Sequence, residues 1–110
     1  VILSTIPPHP GRPALAASYN DALRALARSR GLPLIDYERE ILRRRPDDWN
    51  GTLLRKDDVH PTAEGGSATP TSAPTAANLR DSGYLLRGWL SVRKIAEVQS
   101  RVLAPRPPAG

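Results

Sequence analysis

Val1-Ile2-Leu3-Ser4-Thr5-Ile6 is nearly unbroken in apolar and β-branched residues, the pattern of a strand buried on both faces of a parallel sheet. Pro7, Pro8 and Pro10 end it, and Gly11-Arg12-Pro13 makes a turn, because proline removes ladder donors and biases its predecessor away from helix. From Ala14 to Arg30, Leu15, Tyr19, Leu23 and Leu26 recur at helical spacing with Arg24, Arg28 and Arg30 outside the stripe. Gly31 supplies the stop. Leu32-Pro33-Leu34-Ile35-Asp36 is then a second short strand, and the strand-helix-strand order predicts parallel pairing through a right-handed crossover.

Beyond this unit, a short helix is expected over Tyr37 to Arg45, terminated by Pro46-Asp47-Asp48. Trp49 to Lys56 reads as irregular. Residues 63–77 shift to Ser, Thr, Pro, Gly and Ala, the composition of a flexible surface loop that buries little. Asp81 or Ser82 can cap a last helix with the stripe Leu85, Trp89, Val92, Ile95, Val98 and Val102. The segment 105–110 is Pro-rich and expected to be disordered. Residues 1–104 are thus expected to share one small core, as suits a 110-residue chain.

The bulk composition is that of a folded protein: 39% hydrophobic and 25% charged. The absence of cysteine excludes disulfides and thiolate metal sites, and no apolar run approaches the length of a membrane span. A net charge of +5 invites a nucleic-acid reading, but the cations are interspersed with acids along the chain. No nucleic-acid partner is expected on that ground. Arg43-Arg44-Arg45 is followed at once by Asp47 and Asp48 and reads as a solvated helix end that complements the negative C-terminus of the helix.

One segment carries chemistry: Asp57-Asp58-Val59-His60-Pro61. A carboxylate and an imidazole three residues apart can meet in a compact turn, where the acid fixes the ring tautomer and leaves the other ring nitrogen free to take a proton. Asp57 has that spacing from His60, and Asp58 is one position closer. On these residues alone, a solvated Asp-Asp pair beside a surface histidine is the alternative. His9, among prolines after the first strand, has no neighbouring acid in sequence and reads as a surface histidine. Trp49 and Trp89 read as packing residues.

The segment resembles the D-x-x-H-P block of SGNH (GDSL-type) ester hydrolases. The order of elements around it is also similar: VILSTIPP strand, helix, LPLIDY strand, short helix, loop, DDVHPT, and last helix SGYLLRGWLSVRKIAEVQSRVL. The resemblance implies an α/β fold, the C-terminal half of a flavodoxin-like three-layer sandwich with a parallel sheet. It further implies His60 as general base and acid, Asp57 as its orienting acid, no metal or organic cofactor, and a small-molecule or carbohydrate ester as substrate. Location is left open, export being a family-level expectation only.

The family's Gly-Asp-Ser and Gly-x-Asn-Asp blocks are not found in the 110 residues. Asp81-Ser82 follows Arg80 where glycine belongs, and Ser82 reads as a helix cap. Ser18-Tyr19-Asn20-Asp21 falls inside an amphipathic helix, where Asn20 is expected to face solvent. The 110 residues are therefore expected to be inactive alone, as the acid-and-base part of a longer enzyme. A small basic nucleic-acid module and a non-catalytic scaffold remnant are the rival expectations.

Overall fold

In the computed structural model, which describes residues 1–103, the chain is a mixed α/β protein with a two-stranded parallel sheet. The elements are β1 (Leu3–Ser4), α1 (Pro13–Arg30), β2 (Leu34–Ile35), α2 (Tyr37–Arg44), α3 (Ala76–Leu79) and α4 (Gly83–Val98), with a π turn over Gln99–Leu103. Leu3 pairs with Leu34 and Ser4 with Ile35. The strand-helix-strand unit is therefore formed with its expected parallel pairing. Residues 105–110 lie outside the described residues.

Gly31 ends α1 in the left-handed conformation, with φ of 62°, a backbone state that glycine enters without steric cost. Asp36 caps α2 through a bond from the Arg39 amide at 3.2 Å. Ser82 caps α4 by accepting from Leu85 N at 3.2 Å, and Thr75 caps the unexpected short α3.

The apolar core lies around α2, α4 and the loop between α2 and α3. Ile41, Leu53, Leu54 and Leu86 are fully buried, joined by Tyr37, Leu79 and Leu85, with Ile35, Trp49, Trp89 and Leu90 packed against them. The stretch expected to be merely irregular thus supplies two central core residues, Leu53 and Leu54. Residues 63–77 hold the start of α3, one isolated bridge between Gly65 and Ala68 and otherwise irregular backbone and turns, and Ala68 is the one buried residue among them.

Three expectations about faces are corrected. First, the Val1–Ile6 run is not buried on both sides: its strand is confined to Leu3–Ser4, with Leu3 half-buried and Ser4 exposed, and Val1 and Ile6 beyond its ends are exposed, because β1 has one strand neighbour and α1 covers it incompletely. Second, the predicted stripe of α1 is turned outward, with Leu15 60% and Tyr19 53% exposed, while Ala16, Asn20 and Ala27 face inward. The helix is fixed by polar contacts. Asn20 donates to Ile6 O at 2.8 Å and accepts from Ile6 N at 2.9 Å. Arg24, one turn on, reaches Asp36 at 2.8 Å and Glu38 at 2.8 Å. Third, only Leu85 of the α4 stripe is buried; Val92, Ile95 and Val102 are exposed, because the distal half of the helix runs past the core.

The principal extents are 56 × 33 × 17 Å, and the radius of gyration is 15.8 Å. A compact domain of this length has about 13 Å. The molecule is a thin slab, with apolar faces of α1 and α4 left uncovered.

Candidate functional site

The loop from Asn50 to Thr62 forms a small irregular hairpin. Leu54 bridges to Pro61, Arg55 N donates to His60 O at 2.9 Å, and Thr62 N donates to Leu53 O at 3.0 Å. Since Leu53 and Leu54 are anchored in the core, these bonds tie the backbone of His60-Pro61-Thr62 to the protein interior. The turn at the tip is completed by Asp58 N donating to Arg55 O at 3.1 Å.

A second anchor comes from α4. Thr62 Oγ1 accepts from Gly83 N at 3.1 Å, Thr62 O accepts from Tyr84 N at 2.9 Å, and Ser82 Oγ donates to Ala63 O at 2.7 Å. A Cβ at Gly83 would lie 2.0 Å from Leu53 O and 2.9 Å from Pro61 Cβ. Only glycine fits where the helix start meets the hairpin.

On this frame, Nδ1 of His60 lies 2.9 Å from Oδ1 of Asp58. Asp58 also accepts from Val59 N at 2.7 Å. The hydrogen bond from His60, seconded by that backbone amide, holds the Asp58 carboxyl below its ordinary range. With the carboxylate on Nδ1, the proton sits on that nitrogen, and Nε2 is left to exchange a proton with another group. Both side chains are open to solvent, at 66% for His60 and 40% for Asp58.

Asp57, the acid expected to orient His60, is engaged elsewhere. Its φ is +56°, a left-handed conformation that Asp tolerates better than most residues. Its amide donates to Asn50 Oδ1 at 2.7 Å, and its Oδ1 accepts from Asn50 Nδ2 at 3.1 Å. The reversal at Asp57 carries its carboxylate to Asn50 and leaves Asp58 against the imidazole. Asn50 is a residue that sequence reasoning did not single out, and no sequence signal marks it.

A cavity of about 240 Å³ lies beside this loop, lined by Thr5, Ile6 and Pro7 at the end of β1, by Val59 and Pro61 on either side of His60, and by Arg87 of α4, among others. It sits at the carboxyl end of the parallel strands, where α/β sheets gather ligands. Tyr37 also borders it and donates its hydroxyl to Gly83 O at 3.2 Å. Burial pushes the Tyr37 phenol upward and keeps it a neutral donor.

The remaining candidates have local structural partners. His9 Nδ1 accepts from Gly11 N and Arg12 N, each at 3.0 Å, and so braces the turn into α1. Ser82 is fully buried at the start of α4. Asn20, expected to face solvent, is 0% exposed, because both ends of its amide bind the backbone of Ile6, two residues past β1.

Comparison with family models, with curated proteins and with solved structures finds no match for this chain. Among the described residues, no group of three or more His, Cys, Asp or Glu side chains is arranged to hold a metal ion. No described helix is long and apolar enough to cross a membrane.

Proposed function

We infer that the chain is the acid-and-base part of a serine ester hydrolase of the SGNH type, with the nucleophile and oxyanion blocks supplied by sequence outside these 110 residues. The observation that carries this reading is the 2.9 Å contact between His60 Nδ1 and Asp58, made by the residue after the acid position of the D-x-x-H-P block, since Asp57 at that position is held by Asn50. It is supported by the position of that segment beside the carboxyl end of a parallel sheet. The uncovered Leu15 and Tyr19 of α1 and the single-neighbour strand β1 are the surfaces that the rest of a three-layer sandwich would cover.

In this reading His60 Nε2 takes the proton of a serine hydroxyl as the oxygen attacks the ester carbonyl, and then passes that proton to the departing alcohol. Asp58 holds the ring by Nδ1 and stabilises the imidazolium formed between the two transfers. In the second half-reaction His60 takes a proton from the water that attacks the acyl-serine carbonyl and gives it to the serine oxygen as the acid product leaves, which restores the serine hydroxyl and the neutral imidazole. These steps use only side-chain groups and water.

The test is to express the polypeptide encoded by the whole gene and treat it with a fluorophosphonate probe and with p-nitrophenyl butyrate. Covalent labelling of one serine together with ester turnover is expected, whereas the 110-residue chain alone should do neither. A full gene product that is folded but neither labels nor turns over ester would overturn the reading.

A further inference from the structure

The cations that are dispersed in sequence converge in space at the junction of α2, α3 and α4. Arg43, Arg44 and Arg80 line a groove of about 580 Å³ whose apolar walls include Pro74, Leu79 and Trp89. No carboxylate lines it. Arg43 and Arg44 share one acid just outside, Glu40, and the neighbouring Asp81 is engaged by Arg45 at 2.7 Å. The backbone of Arg80 is held in place by Arg45 Nε, which donates to Arg80 O at 2.9 Å.

Trp89 adds a second feature. The Arg93 guanidinium lies 4.5 Å from the indole centroid and that of Arg44 lies 5.8 Å from it. Guanidinium groups held over a ring keep their edge N–H donors available for an oxyanion. Three arginines against one shared carboxylate leave more than one positive charge uncompensated. That charge matches a dianion better than a single carboxylate.

We propose that this groove binds a small phosphate monoester with an apolar body, the phosphate seated on Arg43 and Arg80 and the hydrocarbon against Pro74, Leu79 and Trp89. A phosphate monoester carries close to two negative charges at neutral pH and accepts forked guanidinium bonds. A nucleic-acid strand is the poorer fit, because binding a strand needs successive aromatic platforms along a basic track and Trp89 is the one aromatic side chain lining this groove. The proposal is independent of the ester site and stands whether or not that reading holds.

Phenyl phosphate is the probe, titrated into the 110-residue chain at physiological salt and followed by the indole N–H of Trp89 and the Nε–H of Arg80 in NMR spectra. Saturable shifts at both are expected, tighter than with inorganic phosphate and absent with benzyl alcohol. The double variant R43Q/R80Q, shown by circular dichroism to keep its helix content, should bind roughly a hundredfold more weakly, since each lost charge-assisted contact weakens binding roughly tenfold. The proposal is overturned by non-saturating shifts, by unchanged affinity in the folded double variant, by inorganic phosphate or benzyl alcohol binding as tightly, or by a thymidine oligonucleotide binding more tightly than phenyl phosphate.

Discussion

His60 holds Asp58, its neighbour two residues back, by Nδ1 at 2.9 Å, while Asp57 is turned to Asn50 by a left-handed backbone. The roles of two adjacent carboxylates are thereby separated: one orients a ring and the other closes a turn. Asp58→Asn should shift the His60 ring away from the Nδ1–H tautomer, and Asp57→Asn should leave the tautomer as it is. Long-range nitrogen–proton NMR spectra of the neutral imidazole read this directly. Loss of the Nδ1–H form in Asp57→Asn with its retention in Asp58→Asn would reverse the assignment.

The junction between the hairpin and α4 has no room for a methyl group at Gly83, 2.0 Å from Leu53 O. Gly83→Ala is therefore expected to lower unfolding stability by about 3 kcal/mol, the upper part of the range for forced overpacking. Gly88 lies in the same helix with nothing within 4 Å of an added Cβ. Gly88→Ala should raise stability by roughly 0.5–1 kcal/mol through helix propensity alone. Urea unfolding of both variants separates the close approach from a general effect of glycine in α4.

Asn20 satisfies both backbone groups of Ile6 with one side chain and so ties α1 to the segment that leaves β1. Asn20→Ala leaves an amide and a carbonyl without partners, at about 1–3 kcal/mol for each buried group. A loss of about 2–4 kcal/mol in urea unfolding is expected. A change below about 0.5 kcal/mol would mean that water replaces the amide at no cost.

Arg24 joins α1 to Asp36 and Glu38 after β2. Burial alone would raise the Asp36 carboxyl, yet the hydrogen bonds from Arg24 and from the Arg39 amide outweigh it and hold the group below its ordinary value. A carboxyl depressed in the folded state stabilises fully above its unfolded pKa and loses that contribution as pH falls through the depressed folded value. The urea midpoint of the wild-type chain should thus fall in the acid range, below about pH 4, and Asp36→Asn should flatten that part of the profile. An equal acid loss in the variant would assign the effect to other carboxylates.

What sequence made legible was periodic or local. The β-branched run ending in prolines, the 18-residue helix stopped by Gly31 and the LPLID strand define a parallel pair, formed over Leu3–Ser4 and Leu34–Ile35. The rotation of α1 was not legible. Leu15, Tyr19 and Leu26 have the spacing of a core stripe, but Asn20 and Arg24 find partners across the sheet that no spacing reveals, and the outward Leu and Tyr are the cost of those bonds. The choice between Asp57 and Asp58 likewise depended on one backbone dihedral, set by Asn50 seven residues earlier. The arginine groove was hidden because Arg80, at the end of α3, lies more than thirty residues from Arg43 and Arg44 of α2 in sequence and meets them only in the folded chain.

Ester turnover by the polypeptide of the whole gene, compared among wild type, His60→Ala, Asp58→Asn and Asp57→Asn, tests the central claim most directly. Loss of the general base is expected to lower kcat by roughly a thousandfold or more, and loss of the orienting acid by somewhat less. Asp57→Asn should retain most activity. Full turnover in the His60→Ala protein would contradict the account.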